Sequence, residues 1–243
     1  MRNIEELSMN AWPSIQTQFF DGWIIRFANG YTKRSNSVNP LYYSSKDVNE
    51  KIELCEHIFK KKELKPVFKI TLEVFPINLD DILQNRGYKA IDYTSVQILD
   101  LLDVDEPKNS NIKIYTHINE EWINCYCKLK SINIDDKITF KKILKNITNE
   151  IYFVSLLLND KVIGCGFGVL EDDYIGLFDI IVDINYRKYG YGEQLIKNII
   201  KIAKNKGVKK AYLQVILENV PAFNLYKKIG FKELYKYWYR IKK

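Results

Sequence analysis

The chain has 243 residues, 47% of them apolar, with 37 Lys and Arg against 30 Asp and Glu, giving a formal net charge of +7. That length suits two domains of about 100–150 residues, and that apolar share supports packed cores, which excludes a disordered or fibrous chain. The basic residues are spread along the chain, the four cysteines are too few for a disulfide scaffold at this size, and no apolar run reaches membrane-spanning length.

Residues 3–9 have the spacing of a short helix that stops ahead of Pro13. Asp21-Gly22 marks a turn, and Trp23 to Ala28 reads as a strand. Asn29-Gly30 is a strong hairpin signal, so Tyr31 to Val38, YTKRSNSV, is expected to return as the partner strand. Its polarity leaves Arg34, Asn36 and Ser37 either on a solvent face or along an acceptor cleft. Asp47 is placed to cap a helix running to about Lys62, with Val48, Ile52, Cys55, Ile58 and Phe59 on one face. Val67 to Val74 is a strand and Leu79 to Asn85 a short helix; Arg86-Gly87-Tyr88-Lys89 then leads into a strand reaching about Leu102. The stretch Asp103 to Ser110 is polar and broken by Pro107, so it is the expected linker between domains at 1–107 and 108–243.

Beyond the linker, Ile112 to Thr116 is a strand. Asn119 caps a helix carrying Trp122, Ile123, Tyr126 and Leu129, and a second short helix covers about Phe140 to Ile147. Ile151 to Leu158 and Lys161 to Leu170 form a hairpin through Asn159-Asp160. Gly164, Gly166 and Gly168 alternate along one face of its second strand, leaving it smooth for close helix packing. Leu177 to Val182 is an apolar strand. The turn Arg187-Lys188-Tyr189-Gly190-Tyr191-Gly192 then opens a helix in which Leu195, Ile196, Ile199, Ile200 and Ala203 recur at helical spacing, ending near Gly207. Lys209 to Leu217 is another short strand, and Tyr235, Tyr237, Trp238 and Tyr239 mark an aromatic strand at the C-terminal end.

The strand–glycine turn–helix unit at 177–202 organises the chain. A helix start leaves several N–H groups without intrahelical partners, and the aligned peptide dipoles make that end partly positive. With glycines allowing close approach, an anion and above all a phosphate fits there. A dinucleotide fingerprint would need a glycine at 195, where Leu195 stands, and no Gly-Lys-Ser/Thr of a Walker A loop occurs. The pattern Arg/Gln-x-x-Gly-x-Gly/Ala is met by Arg187, Gly190 and Gly192. It resembles the pyrophosphate loop of the GCN5-related N-acetyltransferases. Downstream, Asn219, Ala222, Leu225, Tyr226, Gly230 and Phe231 match the Asn-x-x-Ala-x-x-Leu-Tyr-x-x-x-Gly-Phe pattern that this family carries after its fifth strand. The two motifs stand in the family's order and separation, and the resemblance covers roughly residues 112–243.

The resemblance implies an α/β fold of the α+β kind: a mixed, mostly antiparallel sheet with splayed central parallel strands. It implies acetyl-CoA as cosubstrate, an amine acceptor and no metal. Backbone groups near Ile181 and Val182 would pair with the pantetheine arm. The N–H groups of Lys188, Tyr189, Gly190, Tyr191 and Gly192 would hold the pyrophosphate, with Arg187 and Lys188 adding charge. Asn219 and Ala222 lie at the coenzyme-binding motif, and Tyr226 is the expected proton donor to the departing thiolate. An alkyl amine is mostly protonated at neutral pH, so a base or water relay is required. Asp179 and Glu171 are the candidates by position. The rival reading is a non-catalytic acyl-CoA-binding module.

The N-terminal half carries a weak echo of the C-terminal one. Leu79 to Lys89, LDDILQNRGYK, aligns with Ala222 to Lys232, AFNLYKKIGFK, placing Gly87 on Gly230 and Tyr88 on Phe231. Leu83 falls at the position of Tyr226, and the turn Tyr43 to Asp47 has no glycine, so 1–107 is expected to be a smaller, degenerate copy of the fold. NAWP, DGWIIRFANGYTKRSNSVNPLY and FKIT also resemble a two-part acetyltransferase group whose complete domain is C-terminal. No Cys/His cluster has metal-ligand spacing, the N-terminus lacks a signal-peptide core, and no basic face is interleaved with aromatics. The expectations are a cytoplasmic protein with neither a nucleic-acid nor a membrane partner, and an aromatic C-terminal strand that either shapes the acceptor pocket or makes a homodimer contact.

Overall fold

A computed structural model describes residues 1–108 and 111–242. Asn109 and Ser110, the end of the expected linker, lie outside the described residues. Two compact units emerge: residues 1–96 with 215–219 and 234–243, and residues 97–214 with 220–233. The passage from one to the other falls within a strand and not at the polar 103–110 stretch, and the C-terminal strand belongs with the N-terminal half. Both units mix helices with strands that pair mostly antiparallel, as the fold class required.

In the first unit α1 (Arg2–Ala11) precedes the hairpin of β1 (Gln16–Phe20) and β2 (Trp23–Phe27). Asp21 (φ +43) and Gly22 (φ +79) make its turn. β1 has no counterpart in the sequence reading, because four of its five residues are exposed and give no apolar alternation. β2 is buried throughout, and Asn29-Gly30 turns with φ +49 and +74, the Tyr31 N–H donating to the Ala28 carbonyl at 3.0 Å. The return is not the long strand expected. A 3-10 turn at Lys33–Ser35 interrupts it, and β3 is only Val38–Asn39. Asn36 explains the interruption. Its side chain accepts from the N–H groups of Ala28 and Gly30 at 2.7 and 2.8 Å and donates to the carbonyls of Ala28 and Thr32. Asn36 and Ser37 are buried, and Arg34 lies over the Trp12 ring at 4.6 Å, so this stretch braces the first unit.

α2 (Val48–Lys61) is capped as expected, with the Asp47 carboxylate accepting from the Asn49 and Glu50 N–H groups. It packs Ile52, Cys55 and Phe59 into a core with Trp23, Phe27, Phe68 and Tyr88. Each large apolar side chain buried there contributes about 1.5–3 kcal/mol relative to exposure. β4 (Val67–Ile70), α3 (Leu79–Asn85) and β5 (Tyr88–Asp100) follow, and β11 (Lys232–Lys242) closes the unit, its Trp238 pairing with Ile70 of β4. Strand order is β1-β2-β3-β4-β11-β5. Arg240 of β11 grips Asp80 of α3 through Nε and a terminal nitrogen at 2.7 and 2.8 Å.

The second unit runs β6 (Ile112–Tyr115), α4 (Glu120–Lys130), α5 (Ile134–Lys145), β7 (Glu150–Leu158), β8 (Lys161–Glu171), β9 (Tyr174–Val182), α6 (Tyr191–Asn205), β10 (Lys210–Ile216) and α7 (Val220–Ile229). Strand order is β10-β9-β8-β7-β6. α5 begins six residues ahead of the expected Phe140 because Asn133 caps it, accepting from the Asp136 N–H at 2.8 Å. Trp122, stacked on Tyr126 at 5.3 Å, anchors an aromatic core with Phe140, Phe153 and Phe167. The glycine face of β8 serves two neighbours. A Cβ at Gly168 would lie 2.8 Å from Ile199 of α6, which is the expected helix packing, whereas Gly164 and Gly166 make room for Ile181 and Ile180 of β9.

Candidate active site

Most of the residues singled out by the sequence gather in the second unit; Asn219 is counted with the first. β8 and β9 stay in register from Glu171/Tyr174 to Phe167/Phe178 and then slip, with Cys165 facing Ile181 and Gly164 facing Val182. Two steps on β8 therefore match three on β9, a bulge at Asp179-Ile180 where Asp179 has φ +50. Asp is one of the few non-glycine residues that tolerates this region. On its other edge β9 pairs in parallel with β10 from Tyr174/Lys210 to Leu177/Leu213, and the pairing stops there although β9 runs on to Val182. The Asp183 N–H donates to the Ile163 carbonyl at 2.8 Å, so by alternation the backbone groups of Ile181 face β8 and those of Ile180 and Val182 face the open edge. The bulge thus exposes a short run of strand backbone suited to an extended amide-bearing ligand.

The chain leaves β9 through a 3-10 turn at Ile184–Tyr186, capped by the Asp183 carboxylate on the Asn185 N–H at 2.9 Å. Arg187, Lys188, Tyr189 and Gly190 are exposed. Arg187 Nε donates to the Val182 carbonyl at 3.1 Å, so this side chain ties the loop to the end of β9 and leaves its terminal nitrogens for an anion. Lys188 has φ +68 and Gly190 φ +82. Gly190 is the N-cap of α6, and no side chain caps it. Among the described residues the N–H groups of Lys188, Tyr189 and Gly190 donate to no backbone carbonyl, and the first N–H of α6 to turn inward is that of Gln194, on the Gly190 carbonyl at 3.1 Å. Those of Tyr191, Gly192 and Glu193 add to the set. Six donors at the positive end of a helix fit a pyrophosphate by their own chemistry.

α7 closes over this helix start. A Cβ at Gly192 would stand 3.0 Å from Leu225 Cδ2, so glycine there sets the spacing of the two helices. Glu193 binds Lys228 of α7 at 2.7 Å and Lys197 at 3.1 Å. Lys228 chiefly holds the Glu193 carboxyl below the usual carboxylate range, against the smaller effect of burial. Two cations thus neutralise the one acid in the first turn. Tyr226 is half-buried on the same helix, its ring edge-on to Phe231 at 5.9 Å, and its carbonyl accepts the Gly230 and Phe231 N–H groups. Ala222 lies half-buried in the first turn of α7; exposed Asn219 donates its N–H to the Ile216 carbonyl at 2.9 Å.

The two base candidates separate. Glu171 sits at the far end of the β8–β9 hairpin opposite Tyr174, roughly 25 Å of strand away from Val182, and accepts from Asn149 at 2.7 Å. It is set aside. The Asp179 side chain, at the bulge, is 5% exposed and accepts from Lys130 Nζ of α4 at 3.0 Å. Lys130, which the sequence reading missed, also donates to the Tyr126 hydroxyl at 2.6 Å. Nothing in the sequence links it to a residue 49 positions away. The nearby thiols of Cys127 and Cys165 are pushed up by burial, Cys165 well above its ordinary value, so neither offers a ready thiolate. Among the described residues no group of three or more His, Cys, Asp or Glu is placed to hold a metal ion, and no helix is long and apolar enough to cross a membrane.

A family model described as "Probable histone acetyltransferase Rv0428c C-terminal" matches residues 1–240. The chain belongs to this family. A Bacillus subtilis protein named "Uncharacterized N-acetyltransferase YobR" is 28% identical over 248 residues, spanning 100% of this chain and 99% of the relative. A GCN5-related N-acetyltransferase from Kribbella flavida has the same fold, with a TM-score of 0.75 at 10% identity over 99% of this chain and 95% of that one. A tandem GNAT protein from the clavulanic acid biosynthesis pathway gives a TM-score of 0.64 at 11% identity, over 84% and 75% of the two chains. The protein is thus an N-acetyltransferase.

Proposed function

We propose that the enzyme transfers the acetyl group of acetyl-CoA to a primary amine by direct attack. The observation that carries this reading is the uncapped start of α6 directly after the open edge of β9. The N–H groups of 188–192 hold the pyrophosphate, with Arg187 and Lys188 supplying charge. The edge groups of Ile180 and Val182, and not those of Ile181 that face β8, pair with the pantetheine amides, and Asn219 and Ala222 flank the arm. Acetyl-CoA supplies the thioester. A backbone N–H at the bulge stabilises the oxyanion as the amine attacks. Asp179 takes up the proton that the amine gives off, and the Tyr226 hydroxyl returns one to the departing sulfur. Holding both reactants in one cleft supplies much of the rate.

The first unit we read as a degenerate copy of the same fold, with one acetyl-CoA bound per chain. The lack of glycine between Tyr43 and Asp47 and the side-chain cap on α2 support this. The test is incubation with acetyl-CoA and a panel of primary amines, following thiol release. Turnover above hydrolysis is expected for some acceptor, and Tyr226→Phe should slow it by about 10²-fold or more while acetyl-CoA affinity holds. Tight binding without thiol release for any amine would favour the binding-module reading.

A further inference from the structure

The setting of Asp179 carries information about the acceptor, and the inference rests on the acetyl-transfer reading above. The bulge holds this residue at φ +50 with its side chain 5% exposed. Taking a carboxylate out of water is costly unless both oxygens are paired. Oδ1 has Lys130 Nζ at 3.0 Å, but Oδ2 is buried and no donor among the described residues reaches it. A half-satisfied carboxylate is a poor structural brace and a good receptor for one more N–H donor. Its cationic partner is of the opposite kind. The Lys130 side chain is 43% exposed, on the last residue of α4, and has a flexible four-carbon stem. The Tyr126 hydroxyl, at 2.6 Å, and the C-terminal end of the helix dipole offer the ammonium a resting place away from the carboxylate.

We propose that Asp179 is the receiving group for a protonated primary alkyl amine, and that Lys130 holds that place in the free enzyme and yields it to the acceptor. The acceptor's head group is the one Lys130 already presents: three N–H donors on a methylene stem. It replaces the Lys130 bond to Oδ1 and, not being tethered to α4, sets a second N–H on Oδ2, which Lys130 does not reach. The site therefore selects alkylammonium acceptors over neutral isosteres of the same shape. Lys130 acts as an internal competitor that sets the acceptor affinity.

The test uses the full chain labelled with 13C at lysine Cε and aspartate Cγ, titrated with n-butylammonium chloride, and with n-butanol and sodium chloride as controls. Butylammonium should move the Lys130 and Asp179 resonances saturably, and the controls should not. Lys130→Met should bind butylammonium about 5-fold more tightly, read at Asp179, because the competing ion pair is gone. Asp179→Asn should leave Lys130 insensitive to the amine. An unmoved Lys130 resonance in the wild-type chain overturns the proposal, as does unchanged or weaker binding by Lys130→Met. The wild-type titration decides the matter even where a variant fails to fold. Acetyl-CoA affinity, measured separately by calorimetry, reports on the acetyl-transfer reading alone. Normal acetyl-CoA binding with a silent Lys130 would sink this inference and leave that reading standing.

Discussion

The two units start their main helices in opposite ways. α2 opens on Asp47, whose carboxylate accepts from the N–H groups of Asn49 and Glu50. α6 opens on Gly190, in a left-handed conformation and with no side-chain cap. The first helix satisfies its own end groups and is finished; the second leaves them for something else. A helix start is left open to an anion by what its sequence withholds, here a capping side chain, as much as by the glycines it supplies.

Copying one device onto the other is the sharpest way to break that contrast. Gly190→Asp puts a carboxylate, in a strained backbone position, at the place proposed above for the pyrophosphate. Acetyl-CoA affinity measured by calorimetry should fall about 100-fold, from about 1–3 kcal/mol of backbone strain together with charge repulsion. Gly192→Val should cost about 10-fold in the same measurement, since its side chain must displace Leu225 from a 3.0 Å approach. In the first unit the effects should appear in stability, with acetyl-CoA affinity unchanged. Asp80→Asn weakens the Arg240 clamp and should cost about 1–3 kcal/mol in urea unfolding.

That clamp also has a pH signature. Burial raises the Asp80 carboxyl, but the hydrogen bonds from Arg240 and Trp238 and the Arg240 charge outweigh it and hold the group below its ordinary value. A depressed folded pKa contributes stability above the unfolded value, lost as pH falls through the folded one. The wild-type advantage over Asp80→Asn should therefore be full at neutral pH and shrink below about pH 4. Asp47→Ala is expected to have the smallest effect, about 1 kcal/mol from the lost cap. If it altered acetyl-CoA binding, the contrast between the two helix starts would have to be redrawn.

How far the sequence reached depended on whether a signal was local. Caps and glycine turns are short-range, so α2, α3, α4 and the loop at 187–192 were legible, down to the capping roles of Asp47 and Asn119. β1 escaped because an exposed strand has no apolar period to read. The polar run after Asn29-Gly30 was misread because Asn36 spends its amide on backbone groups, a pattern that resembles a solvated strand in one dimension. In the site, the loop and α7 announced themselves through spacing. The bulge did not, since nothing about Phe178-Asp179-Ile180 distinguishes a slipped register from a regular one. Lys130 stayed hidden for a related reason: its meeting with Asp179 depends on where α4 lies against β9.

The last strand belongs to the first unit, where the Tyr235 hydroxyl donates to Glu5 at 2.6 Å and Arg240 grips Asp80. Residues 1–96 therefore cannot complete their unit until residues 234–242, more than a hundred positions later, have joined them. A chain cut ahead of β11 would lack both of these ties and would leave unpaired the β4 edge that β11 joins, so the unit is held shut by the segment farthest from it in sequence.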